Sequence, residues 1–283
     1  GGALIAASPN TPQTRVLPYV TAYRNEDAVT PSANIAFHVA DNVLAYASFS
    51  KGFKSGGFVQ RVFPPQANIP QFGAEKATAY EIGFKSKLFN RRLTLNGALF
   101  LTKYDELQVQ VFTGIAPVTK NAASAEIKGL ELEGRLDAGA GWFLEGSLGY
   151  LHPRFTAIDP AAAEITLASK FERVSNWSLS GAVSKSVELA NGGNVRARVD
   201  WSYRSGAYMD ALNSPELYQP GYSLFNANVT YTFPGEKVSV FAGVTNLTDK
   251  QYLQTGVYGA SFGLYEKLYA RPREWSAGLK WSF

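Results

Sequence analysis

Glu274-Trp275-Ser276-Ala277-Gly278-Leu279-Lys280-Trp281-Ser282-Phe283 is the stretch that decides the fold. Side chains of a strand alternate between its faces. Trp275, Ala277, Leu279, Trp281 and Phe283 therefore share one side, and Glu274, Ser276, Gly278, Lys280 and Ser282 the other. A side with two Trp and a Phe carries too much apolar area to face water; it must meet a core, a partner or lipid. The opposite side is wet.

The same alternation runs upstream. In 92–112, Leu93, Leu95, Leu99, Leu101, Leu107, Val109 and Val111 share one parity, opposed by Thr94, Asn96, Thr102, Glu106, Gln108 and Gln110. Leu130, Leu132 and Leu136 oppose Glu131, Glu133, Arg135 and Asp137. Val195, Ala197, Val199, Trp201 and Tyr203 oppose Arg196, Arg198, Asp200, Ser202 and Arg204, and Phe225, Ala227, Val229, Tyr231 and Phe233 oppose Asn226, Asn228, Thr230 and Thr232. Two places break step: 43–53 fits neither parity well, and Ile127-Lys128-Gly129 slips before Leu130, which predicts a bulge or the start of a strand.

Composition narrows the class. The 283 residues include 18 Phe, 15 Tyr, 5 Trp and 26 Gly, while charged residues reach only 18%, against a globular average of about 25%. Strands and turns are favoured. No run of about 18 apolar residues is available for a membrane helix, so a bilayer can be crossed only by strands closed into a barrel. In that setting an Arg held toward lipid at the midplane costs about 2–4 kcal/mol, so the face with Arg196, Arg198 and Arg204 belongs to the lumen. The absence of Cys excludes disulfides and thiolate metal sites and is compatible with an oxidising periplasm. The 27 basic and 23 acidic residues are dispersed, so no nucleic-acid footprint is visible. A Gly-Gly-Ala-Leu start carries no signal peptide, which an exported barrel needs.

Tight-turn signals at 40–42, 89–91, 138–141, 191–193 and 234–236 alternate with longer polar connections at 54–74, 113–123, 157–172, 207–220 and 249–271. This predicts eleven antiparallel strands: 32–39, 43–53, 75–88, 92–112, 124–137, 142–155, 173–189, 194–206, 221–233, 237–247 and 272–283, with a twelfth at 15–24 and a loop or strand remnant at 1–14. An odd number does not close in the usual even-stranded barrel, so further strands are expected upstream.

Several segments together resemble the C-terminal half of a TonB-dependent outer-membrane receptor. They are 42–58 with its Gly52-Phe53-Lys54 ending, 75–83 (Glu-Lys-Ala-Thr-Ala-Tyr-Glu-Ile-Gly), 104–109, 128–133 and 244–252 (Val-Thr-Asn-Leu-Thr-Asp-Lys-Gln-Tyr). The resemblance implies an all-β fold, a C-terminal portion of about 11–12 strands of a larger 22-stranded antiparallel transmembrane barrel, as a single partial barrel domain over 1–283. Gly278, Trp281 and Phe283 match the family's C-terminal signal for the barrel assembly machinery. It also implies a location in the outer membrane and TonB-energised uptake of a scarce ligand such as a ferric siderophore. The TonB contact would be made by the N-terminal region, which, like the plug and signal peptide, is not in this sequence.

Under that resemblance the short turns are periplasmic and the long loops extracellular, so ligand chemistry belongs to the loops. The richest runs from Gln251 to Arg271. Its Tyr258, Phe262, Tyr265 and Lys267, with Arg61 in an earlier loop, are candidate ligand contacts, aromatics and cations suited to a flat anionic chelate. Lumenal Arg196, Arg198 and Arg204 are expected to pair with Glu131, Glu133, Glu145 or plug residues.

No catalytic, cofactor or metal residues are assigned. The two histidines, His38 and His152, lack a nucleophile-elbow Ser, and no phosphate loop or Cys/His metal spacing occurs. A passive porin would need the same strands without a plug, and a barrel-embedded enzyme is the remoter rival. A β-propeller needs four short strands per repeat, where this chain supplies two long ones; a soluble sandwich would bury the apolar faces between two sheets.

Overall fold

The computed structural model describes residues 17, 21–59, 67–113, 116–160, 165–259 and 263–282. Their strands are β1 (Ser32–Ala40), β2 (Val43–Lys54), β3 (Gly57–Phe58), β4 (Gln71–Phe72), β5 (Glu75–Leu88), β6 (Leu93–Thr113), β7 (Ala116–Gly139), β8 (Trp142–Ile158), β9 (Trp177–Glu188), β10 (Asn194–Arg204), β11 (Ala207–Tyr208), β12 (Tyr218–Gln219), β13 (Tyr222–Thr232), β14 (Val238–Thr245), β15 (Leu253–Gly259), β16 (Leu264–Tyr269) and β17 (Glu274–Trp281). Eleven of them form one antiparallel sheet, ordered β1-β2-β5-β6-β7-β8-β9-β10-β13-β14-β17. These are the eleven strands expected from the alternation. Among the described residues β1 and β17 each have one neighbour, so the sheet is an open wall. The pairs β3–β4, β11–β12 and β15–β16 stand apart in the long loops.

Register makes the two faces chemically opposite. One row of directly paired residues reads Leu88, Leu93, Leu136, Leu144, Val183, Val199, Ala227, Val244 and Trp275. One residue along each strand, the row on the other face reads Lys87, Thr94, Arg135, Glu145, Ala182, Asp200 and Asn226. The apolar face is uncovered: Trp275 is 72% exposed, Ile35 71% and Leu99 52%. Among the described residues no second sheet lies over it, which excludes the sandwich.

The wet face is braced by side chains. The Tyr46 hydroxyl donates to Glu81 (2.6 Å), Asn96 Nδ2 to Glu133 (2.7 Å) and Arg198 Nη2 to Glu145 (2.7 Å), with Arg198 Nε on Asp200 (2.8 Å) and Arg135 Nε 3.7 Å from Glu145. These bonds explain β2, whose phase was obscure: Tyr46 is an inward tyrosine with a carboxylate partner, while Val43, Ala45, Ala47 and Phe49 take the apolar side. At the short-turn end, outward Lys185 donates to the Ala140 carbonyl and lies 5.0 Å from the centre of the Trp142 ring, a snorkelling cation at the edge of the apolar band.

Several breaks and bounds differ from expectation. The register of β7 runs unbroken through Ile127-Lys128-Gly129. Lys128 faces outward just past the last apolar position of its strand, and Gly129 is small because the Phe100 ring lies over it on the other face. The true irregularity lies between Tyr104 and Leu107, where Glu106 has φ 56°. It ends the single parity read from Leu93 to Val111 and sets Leu107 and Val109 against the loop-side cluster of Ala123, Ala125, Phe155 and Ile165. Finally, 113–123 is not a long loop, because β6 and β7 stay paired out to Thr113 and Ala116.

Residues 1–14 and most of the proposed twelfth strand lie outside the described residues; the described part, 17 and 21–24, is not in a strand. β9 begins at Trp177 rather than 173, because Arg173 adopts a left-handed φ of 58°.

Candidate ligand-binding site

At the long-loop end of the wet face, a cavity of about 660 Å³ is lined by Arg173, Arg204 and Arg271, by Tyr222 and Tyr252, and by Asn246. Each is held by a different piece of the fold. Arg204 and Tyr222 are directly paired across β10 and β13 and so project from the same face. Tyr252, just before β15, stacks on Tyr222 with ring centroids 4.3 Å apart and planes 19° apart. Arg173 sits in the β8–β9 loop, its backbone N–H donating to the Tyr208 carbonyl (2.7 Å). Arg271 precedes β17, 3.8 Å from Glu274.

Asn246 ties this corner together. It is buried at a φ of 49°, a conformation Asn tolerates better than most residues. Its Nδ2 donates to the carbonyls of Lys250 (3.0 Å) and Arg271 (3.3 Å), and its Oδ1 accepts from the Lys250 N–H (2.8 Å). Asp249, at φ 52°, accepts from the Arg273 N–H (2.8 Å). The segment Val244 to Tyr252 is thus a structural clasp that brings Arg271 beside the ends of β13 and β14.

The loops above are packed. Leu217 is fully buried with Ala207, Met209 and Leu253, and Phe155 stacks on Phe171 at 4.4 Å. Asp210 accepts from both the N–H and the hydroxyl of Ser214 (2.9 and 2.6 Å). A second cavity of about 420 Å³, lined by Phe155, Phe171 and Tyr258 among others, shares Arg173 and Met209 with the first. At the first strand, Glu26 accepts from the Gly56 N–H (2.6 Å) and pairs with Arg24. The amide bond and the guanidinium hold its carboxyl below the ordinary value.

Of the ligand contacts expected from sequence, Tyr258 lines the second cavity and stacks on Tyr265 at 4.7 Å. Burial and the nearby Glu216 carboxylate push the Tyr265 phenol up. Lys267 pairs with Gly256 in the β15–β16 hairpin and lines neither cavity. Arg61 and Phe262 lie outside the described residues. Arg198 and Glu145 do pair as expected, whereas Arg204 lines the cavity. Arg173 and Tyr222 went unseen as site residues. For Tyr222 a signal existed, since its parity puts it on the wet face with Asn226 and Asn228.

The C-terminal signal residues are placed in part. Gly278 lies on the wet face beneath the Phe241 ring, Trp281 is outward and exposed, and Phe283 lies outside the described residues.

Residues 7–247 match the family described as TonB dependent receptor-like, beta-barrel. The ferric-pyoverdine 358 receptor of Pseudomonas putida is 26% identical over 264 residues, 90% of this chain and 29% of the receptor. The pesticin receptor of Yersinia enterocolitica is 22% identical over 84% of this chain and 34% of its own length. Among solved structures, the ferric yersiniabactin uptake receptor from Yersinia pestis superposes with a TM-score of 0.76 at 20% identity, covering 89% of this chain and 37% of that one. The chain thus spans about a third of the length of the relatives it matches. Barrels of this family lie in the outer membrane, and its members are transport receptors. With its sheet, its two-faced register and more than four-fifths of its length inside the family match, the chain belongs to the TonB-dependent receptor β-barrel family.

Proposed function

We propose that the complete protein is a TonB-energised outer-membrane receptor for a ferric siderophore-type complex, and that this portion of its wall holds the complex at the arginine-lined cavity. The observation that carries the reading is the convergence of Arg173, Arg204 and Arg271 with the stacked Tyr222–Tyr252 pair at the loop end of the wet face. Three guanidiniums attract an anionic chelate and grip its carboxylate, hydroxamate or catecholate oxygens, and the rings give it an aromatic wall. Two of the named relatives are receptors for ferric-pyoverdine and ferric yersiniabactin. The plug, the TonB contact and about half of a 22-stranded barrel belong to the remainder of the receptor, and lipid and the assembly machinery are partners of the wall.

Energised uptake separates this reading from a passive porin and from an enzyme. Cells expressing the complete gene are supplied with radiolabelled ferric siderophores of the hydroxamate, catecholate and mixed carboxylate classes, and with haem and cobalamin. Saturable uptake of a ferric chelate, abolished by a protonophore, is the expected result. Uptake that persists without the proton gradient overturns it in favour of a porin.

A further inference from the structure

We propose that the lipid-facing side of β2, β5, β6, β7 and β8 carries a docking surface for a phosphate-bearing lipid headgroup of the outer leaflet. On each of these strands the outward residues are apolar over the membrane band and then change character. β2 runs Val43, Ala45, Ala47, Phe49 and then Lys51. β6 runs Leu93, Leu95, Gly97, Leu99, Leu101 and then Lys103. The nine residues from Leu93 to Leu101 match the span of a tilted membrane strand. β7 passes from Leu130 to Lys128 and Glu126, and β8 from Tyr150 to His152 and Arg154.

Register gathers these residues. Lys51, Thr78, Lys103, Glu126 and Arg154 form one cross-strand row, and Phe49, Tyr80, Leu101, Lys128 and His152 the row on its membrane side. With strands about 4.8 Å apart, four permanent cations lie within the breadth of a glycolipid headgroup. Within these two rows the one carboxylate is Glu126, which takes Arg154 at 3.0 Å and Lys128 at 3.3 Å and is itself only 12% exposed, while Lys128 and Arg154 stay 56% and 55% exposed; in the next row outward, Asp105 is paired directly with Lys76. The row directly follows aromatic residues, Phe49 and Tyr80 with centroids 5.4 Å apart and Tyr150 and Trp177 with centroids 4.5 Å apart, which mark the interface. Cations just beyond such a belt meet headgroup phosphates, and their excess over carboxylates fits an anionic partner. The proposal uses the outward orientation of the long loops and nothing about the transported ligand.

The complete receptor, purified in detergent, is titrated with bisphosphorylated lipid A under native mass spectrometry, in parallel with the dephosphorylated lipid and with inorganic phosphate as competitor. Preference for the phosphorylated lipid is expected. Lys51→Gln, Lys103→Gln and Arg154→Gln each weaken it about fivefold, and Lys280→Gln on the opposite face leaves it unchanged. Glu126→Gln strengthens binding about fivefold by removing the carboxylate that holds Lys128 and Arg154, and decides the matter should the cation variants fail to assemble. Equal binding of the dephosphorylated lipid, wild-type affinity in assembled cation variants, or no gain from Glu126→Gln overturns the proposal. Displacement by inorganic phosphate overturns it in favour of a free-anion site. Loss of siderophore uptake with lipid A binding intact leaves it standing.

Discussion

Gly278 of β17 lies under the ring of Phe241 on β14, its directly paired neighbour: a Cβ added at 278 would fall 2.5 Å from Phe241 Cζ. The glycine is thus a packing requirement of the wet face, whatever else reads it. Gly278→Ala should cost about 1–3 kcal/mol through overpacking. The heat-modifiable, folded fraction in outer membranes should fall accordingly, and Phe241→Ala in the same chain should restore it. A double variant no better than Gly278→Ala would place the glycine's role in recognition by the assembly machinery.

Arg204 and Arg173 reach the cavity from a strand and a loop. Replacing either with Gln should weaken binding of the transported ferric chelate about tenfold, or about 1.4 kcal/mol, the scale of one charge-assisted hydrogen bond. Titration by tryptophan fluorescence quenching reads this directly. Lys267→Gln, on a residue outside both cavities, should leave affinity unchanged.

Glu26 tethers the segment before β1 to Gly56. Its folded pKa is depressed, so the tether's contribution is complete above the unfolded carboxylate pKa and is lost as pH falls through the lower, folded value. Amide exchange at Gly56, corrected for its intrinsic rate, should therefore be slow at neutral pH and accelerate only below the ordinary carboxylate range. Glu26→Gln should exchange fast at every pH. A wild-type step at or above the ordinary value would contradict the geometry.

The strands were legible because a wall between lipid and water imposes period two on every segment: Val195 to Arg204 could be sorted by charge alone. The misreadings came where that constraint ends. Lys128 looked like a slip in phase because it stands past the apolar band, where an outward cation is no longer penalised, and Gly129 looked like a break although it only makes room for Phe100. The register break at Glu106 depends on a left-handed residue that is not Gly or Asn, so no residue type announced it. The cavity was half legible. Arg204 and Tyr222 follow from parity, but Arg173 and Arg271 arrive through the loop contacts of Tyr208 and Asn246, which join residues far apart in the chain. Tyr265 and Lys267, from the same dense run of aromatics and cations, stand on the exposed strand β16, Tyr265 against Tyr258 and Lys267 opposite Gly256.

Leu99 and its row face hydrocarbon while Ala98, one residue away, faces the lumen. This chain has no cysteine, so single cysteines at 98 and 99 in the reconstituted receptor can carry nitroxide labels. Collision rates with oxygen, which concentrates in lipid, and with a water-soluble nickel chelate then report each side. The label at 99 should collide strongly with oxygen and hardly with the chelate, with the balance shifted toward the chelate at 98. Equal chelate access at both positions, or a label at 99 that meets neither reagent, would place Leu99 in water or in a dry protein interior instead.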